Sequence, residues 1–465
     1  MILRLGESRI ESGAICAALF FMKKSLLIFS CFIALFSLAF SIKPKKQQPF
    51  PDFGYMAPAN EITNINEVFK LSQNYPKTLP SNKLPEFYSI DYKKDWRKYL
   101  LSIRSYCYEG NTGVNFRVEN NKTRNWYHMP FQHYSANGRE GYHGLTREAP
   151  VGTNQFAPNQ SYATAGAWAV GFYNDVAGYT IGQVWEDHEN PDVTKMTGGF
   201  KHGAVLFKLL FTSFPKEVAE AQVPFLTNGI WWDAYGNYVF SDAPLTRSKI
   251  QVVLTQMDVM VRDTNSASGW VLGNFQYNGQ LNNADKWNNL IPTGVMWGQD
   301  PTNNINQSNP HPTVTIINTN LKETIINPDA KELPPTHLGW NGRLNGPLDN
   351  AMSSCYSCHA TAEYPQGSPL SPLFDSELSK KYPPGSDGWM RWFENLKCGQ
   401  PFDKPSDGVV YRSTDFSLQM SQTLQFFADF QAFKAANGGI YRSSYEKSVK
   451  KRKTHSVSDR VPKGN

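Results

Sequence analysis

The chain has 465 residues, 40% hydrophobic and 14% aromatic, which supplies enough apolar side chain for one large or two moderate cores and too much for a disordered or low-complexity polymer. Its formal charge of +6 sits at the ends. Residues 1–41 hold +2 and residues 446–465 hold +5, leaving about −1 for the body and excluding the electrostatic footprint of a nucleic-acid binder.

At the N-terminus, Met22-Lys23-Lys24 opens a basic stretch, residues 26–40 are apolar, and Ala39 and Ser41 put small residues at two cleavage-determining positions. This is the grammar of a secretory signal. The expectation is export to the periplasm or medium, with the mature chain starting near Ile42, residues 1–21 an upstream extension and Met22 the better initiator. About 15 apolar residues are short for a membrane span. Lipid attachment at Cys31 is the weaker reading, because bulky Phe29 stands just ahead of it.

Residues 42–109 are rich in Pro, Asn and Lys and read as a lead-in segment. It carries a short helix over 66–71 and a longer one over 91–106, where Trp96, Tyr99, Leu100 and Ile103 recur at helical spacing. From residue 110 the pattern changes to runs rich in Val, Phe and Trp between Gly, Asn and Pro loops. Residues 167–172 and 179–185 alternate around Asn174, Asp175 and Gly178 and predict a hairpin. Residues 203–211, 249–262, 269–277 and 290–298 predict further strands, and 314–318 an extra one. Irregular spacing without an internal repeat favours a sandwich over a propeller. The expected fold is therefore α+β and multidomain: a β-sandwich-like body over 110–335, a small α-helical module over 336–440, and a basic tail over 441–465.

Within the body, His128, His133, Arg139, Glu140, His143, Arg147 and Glu148 interleave with Trp126, Tyr127, Tyr134 and Tyr142. Three imidazoles with carboxylates in so short a span suit a metal or proton transfer. The spacing matches no metal motif, so a polar cluster joining loops is the competing reading. Trp231-Trp232-Asp233 and Trp297 suit either a sugar platform or core packing. Asn121-Lys122-Thr123 is formally a glycosylation acceptor.

Residues 355–359 read Cys-Tyr-Ser-Cys-His, the C-x-x-C-H attachment signature of c-type haem. Its two thiols are spaced for thioether bonds to the porphyrin vinyl groups, and the next imidazole falls beneath the iron as proximal ligand. A thiol redox pair would sit near a βαβ pattern, and a structural zinc site would need a second ligand pair; neither pattern is present. Asp349 or Asn350 is placed to cap a short helix carrying Met352, Cys355, Cys358 and His359, and Pro365, Pro369 and Pro372 stop it. Helical spacing resumes over 388–396 and 416–433. Of the four cysteines left after signal removal, Cys107 and Cys398 remain either as a disulfide or as two unpaired buried thiols.

Through Cys355, Cys358 and His359 the C-terminal quarter resembles the cytochrome c superfamily, which implies one covalent haem c in the helical module. Residues 110–300 loosely resemble the extracytoplasmic part of bacterial proteins known only as "cytochrome c family protein", a likeness that supplies no catalytic residue. The chain departs from small cytochromes c in its early Pro-rich loop and in lacking a Gly-x-Met-Pro segment. Distal-ligand candidates are Met390 and Met420 downstream and His337 and Met352 upstream, with core filling the alternative for each methionine. The His128–His143 region is a further source of a distal ligand.

The expected function is that of an exported c-type cytochrome exchanging electrons with a redox partner protein. Two alternatives stand beside it: a single-haem oxidoreductase using a site in the β-rich body, and a carbohydrate-binding module with an accessory haem. A two-haem peroxidase would require a second C-x-x-C-H, which the sequence lacks. Lys447, Lys450, Lys451, Arg452 and Lys453 suit an acidic partner or anionic membrane surface, or a solvated terminus.

Overall fold

Eight strands pair antiparallel into one sheet: β1 (Thr146–Pro150), β2 (Gly166–Tyr173), β3 (Val205–Thr212), β4 (Trp231–Gly236), β5 (Ser248–Arg262), β6 (Trp270–Tyr277), β7 (Leu290–Met296) and β8 (Thr324–Ile326). The computed structural model describes residues 62–436 apart from 63, 82, 133–138, 241–246, 305–316 and 330–337. The signal and tail readings, His133, Tyr134, His337 and most of the 314–318 strand thus lie outside the described residues. The sheet order is β1-β2-β3-β5-β6-β7-β8, with β4 also on β5. Strand β5, 15 residues long, holds β3 along one edge. On the other edge, β4 pairs with 248–253 and β6 with 256–262.

The β-rich body expected from the sequence is present, but it is one continuous sheet rather than two stacked ones. The length of β5 explains the difference: it offers ladder positions to three partners, so the described strands of the body complete their hydrogen bonds in a single layer.

Among the described residues seven α-helices accompany the strands: α1 (Trp96–Tyr108), α2 (Asp175–Val184), α3 (Lys216–Gln222), α4 (Cys355–His359), α5 (Ser376–Lys381), α6 (Asp387–Met390) and α7 (Leu418–Ala436). A small ladder joins β9 (Glu363–Tyr364) to β10 (Arg412–Ser413). No helix among the described residues is long and apolar enough to cross a membrane.

Strand alternation sorts the core onto two faces. Val205, Phe207 and Leu209 of β3, Val259 and Val261 of β5 and Val271 and Phe275 of β6 meet Tyr99, Leu100, Ile103 and Cys107 of α1 on one face. Gly273 permits the approach, since a Cβ there would lie 2.3 Å from Leu100 Cδ2. On the other face, Leu206, Met260, Trp270, Leu272 and Met296 pack with Tyr356, Phe416, Met420 and Leu424. The C-terminal segment shares this core with the sheet, and the described residues fall in one compact unit, Phe50–Asn465.

Two local expectations are corrected. The predicted hairpin is a strand followed by a helix, β2 then α2. The Asn174 side chain caps α2 by accepting from the Ala177 N–H at 3.0 Å, and Ala177, Ile181 and Val184 are buried at the i, i+4, i+7 spacing of a helix. The short helix over 66–71 is a single 3₁₀ turn, Ile65–Glu67.

Of the two readings for Cys107 and Cys398, the structure has the unpaired one: both thiols are free. Cys107 is buried against α1's face of the sheet. Cys398 packs on the opposite face, where Arg262 Nη2 donates to its Sγ at 2.8 Å. The sheet itself keeps them apart.

Candidate haem-attachment site

The C-x-x-C-H run forms α4, a helix of 5 residues held at its start by a closed capping box. Ser354 Oγ accepts from the Ser357 N–H at 3.0 Å, and the Ser354 N–H donates to Ser357 Oγ at 2.7 Å. The cap is thus Ser354 rather than Asp349 or Asn350. Ser354 Oγ also donates to Gln299 Oε1 at 3.0 Å, and the Cys355 N–H donates to Leu344 O at 3.0 Å. Tyr356 faces the sheet: its ring meets Phe416 edge-on at 5.5 Å and its hydroxyl bonds Trp270 O and Ser268 Oγ. Cys355, Cys358 and His359, at i, i+3 and i+4, share another side and each keep part of their surface open.

His359 Nδ1 lies 2.7 Å from Phe416 O. With that nitrogen as donor, Nε2 is the bare acceptor, and among the described residues no hydrogen bond occupies it. A metal-ligating histidine is oriented in this way by its other nitrogen. Burial lowers the imidazole to about pKa 4, so it is neutral and able to coordinate at neutral pH. The carbonyl is aimed at some conformational cost, because Asp415 and Phe416 both adopt left-handed φ, 51° and 63°. The Asp415 carboxylate offsets it by accepting from Phe200 N at 2.7 Å, Gly399 N at 3.1 Å and Trp270 Nε1 at 3.2 Å.

Burial raises the Cys355 thiol well above its usual value, with Asp258 and Asp349 adding to the effect. Burial likewise raises Cys358 to about 11. Redox C-x-x-C pairs stabilise a thiolate and shift the other way. Two free thiols and a neutral, oriented imidazole on one side of a short helix fit covalent haem.

A polar wall on the sheet, unexpected from the sequence, faces α4. Lys208 of β3 pairs in register with Asp258 of β5, and Asp258 with Asn274 of β6. Lys208 Nζ bonds Glu148 at 3.1 Å, and the two side chains keep 29% and 19% of their surface. Burial raises the Asp258 and Asp349 carboxyls, whereas Lys208 is raised because Glu148, Asp258 and Asp349 together outweigh its own burial. Lys208 adds to the depression of His359, so the wall lies within electrostatic reach of the motif. A sequence signal for it existed: a lone charge inside an apolar run, Lys208 in Val-Leu-Phe-Lys-Leu-Leu-Phe of β3 and Asp258 in Met-Asp-Val-Met-Val of β5.

Among the distal candidates, Met420 is fully buried in the cluster that holds Tyr356 and Phe416, together with the unforeseen Met260 and Met296. Met390 and Met352 belong instead to a neighbouring cluster built on Trp340, Trp389 and Trp392. Among the described residues no three His, Cys, Asp or Glu side chains converge on a metal site; a haem iron asks the chain only for axial ligands.

The His/Arg/Glu cluster disperses. His128 packs between Phe69 and Phe172, and His143 stacks on Trp232 at 4.2 Å. Phe172 and Trp232 belong to the face opposite α4, so the sheet separates both imidazoles from the motif. Glu140 organises a loop, accepting from the N–H groups of Tyr142, Leu145 and Tyr235 at 2.7, 3.2 and 3.1 Å. Arg139 donates to Met129 O and Gly144 O, and Arg147 lies over Phe240. Among the described residues of the cluster, Glu148 alone reaches the cleft. Trp232 and Trp297 are core residues, not a sugar platform. The Asn121 side chain is engaged by the N–H groups of Thr123 and Arg124. In comparisons with known proteins, no family model, no curated protein and no solved structure matches this chain.

Proposed function

We propose that this chain is an exported c-type cytochrome that carries one covalent haem and exchanges electrons with a redox partner protein. Cys355 and Cys358 would hold the porphyrin by thioether bonds, and His359 Nε2 would be the proximal ligand. The observation that supports this reading most directly is the 2.7 Å contact between His359 Nδ1 and the Phe416 carbonyl. It fixes the ring and the tautomer before any iron is present. When bound, haem supplies a one-electron Fe(III)/Fe(II) couple. The chain's share is to keep the imidazole neutral and oriented and to hold both thiols on one helical side. Export rests on Lys23, Lys24 and the apolar run over 26–40.

The test is expression in a host competent in cytochrome maturation, followed by intact mass and a pyridine haemochrome spectrum. The expected result is one haem with two thioether bonds per chain; a colourless protein of unmodified mass overturns the proposal. A second reading, single-haem oxidoreductase, is favoured by the polar wall of Glu148, Lys208, Asp258 and Asp349, since an electron carrier needs no buried charge beside its haem.

A further inference from the structure

We propose that Asp258 and Asp349 form a proton-binding site, which takes one proton from solvent each time the haem accepts one electron from a donor protein. This inference rests on the haem reading of Cys355, Cys358 and His359. Its geometric basis is a shared donor: Gln256 Nε2 bonds Asp258 Oδ1 at 2.8 Å and Asp349 Oδ2 at 2.9 Å. Two carboxyl groups drawn together by one amide repel each other when both are ionised, so the pair favours holding a proton between them. Lys208, the cation directly across from Asp258, is already bonded to Glu148. Three carboxylates therefore face one ammonium.

The surroundings independently mark the cleft as a place for an exchangeable guest. Gln256, Asn274 and Gln276 are fully buried side by side on β5 and β6. Asn274 Nδ2 donates to Asp258 at 2.5 Å, while its Oδ1 and both polar atoms of Gln276 have no partner. Buried amide atoms of this kind require hydrogen bonds that the fold does not supply.

The groups facing the pair are Glu148 from β1, Lys208 from β3, Gln256 from β5, Asn274 and Gln276 from β6, and Cys355, Cys358 and His359 from α4. With Nε2 of His359 assigned to the iron and both thiols to thioether bonds, neither the imidazole nor the cysteines would supply the proton near neutral pH. Burial, with repulsion from Asp349 next, raises Asp258 to about 7. With haem held by Cys355, Cys358 and His359, each electron taken from the donor protein would be matched by one O–H bond formed at the Asp258–Asp349 pair with a proton from solvent. The charge of the cleft is unchanged, and low pH favours the reduced state.

The experiment is a redox titration of the holoprotein between about pH 6 and pH 8. The midpoint potential should fall with rising pH by up to about 59 mV per unit, the value for one proton per electron. Asp258→Asn and Asp349→Asn should each flatten this slope, while Asp187→Asn on an exposed turn keeps it. Redox-difference infrared spectra of the unmutated protein give a second readout, with a protonated-carboxyl band rising on reduction near pH 7. A pH-independent potential without that band overturns the inference, as does Asp258→Asn with an intact visible spectrum and an unchanged slope. Both results leave the haem itself standing; a colourless protein removes the haem reading and this inference together.

Discussion

The imidazole of His359 is the residue on which the site turns. Its Nδ1 is held by a carbonyl 57 positions away in sequence, so ring orientation depends on the loop at Asp415 and Phe416 as much as on α4. His359→Ala should retain the thioether bonds and the mass adduct while shifting the visible spectrum away from that of the parent; an unchanged spectrum would show another residue in the proximal position. Asp258 carries a prediction about the haem-free protein. Its folded pKa, about 7, lies above the ordinary carboxylate value, so the native state binds the extra proton between roughly pH 4 and pH 7 and loses stability as pH rises through that window. Asp258→Asn should therefore gain stability relative to the parent at pH 8 compared with pH 4, measured as urea midpoints at both. The His359 contribution has the opposite sign: its folded pKa of about 4 is below the unfolded value, so it adds stability as pH rises from about 4 to 6.5.

At the scale of elements, α4 is too short to persist by its own propensity. Its capping box and the buried Tyr356 fasten it to the sheet. Ser354→Ala removes the acceptor for the Ser357 N–H and should cost about 1 kcal/mol, read as a lowered denaturation midpoint, with a smaller yield of attached haem. The placement of α1 and the 398 region on opposite faces sets another expectation. Reductant should leave the thermal midpoint of the protein unchanged; a drop would mean that Cys107 and Cys398 are bonded after all. The hairpin that became β2 and α2 shows what competes at this level. Residues 179–185 alternate well enough for a strand, but an asparagine cap and apolar residues at 177, 181 and 184 favour helix.

For the molecule as a whole, the haem-motif segment and the sheet are one core. Tyr356, Phe416, Met420 and Leu424 share one buried cluster with Leu206, Met260, Trp270 and Leu272 of the sheet, which a fragment would leave exposed. A fragment of residues 336–436 alone should therefore fail to show a cooperative thermal transition, whereas a self-sufficient cytochrome module would melt sharply. Read from the sequence alone, β3, β5, β6, β7 and α1 stood near their observed bounds, because each encodes its period within a dozen residues. The C-x-x-C-H run on which the haem proposal rests is equally local, since Cys355, Cys358 and His359 lie within five residues. What only the tertiary structure decided were relations between distant residues: that the strands join in one layer, that His128 and His143 lie across the sheet from α4, that Phe416 orients His359, and that Lys208, Asp258 and Asp349 meet in one cleft. Strand register and the choice of face set these relations, and no local pattern of residues encodes either.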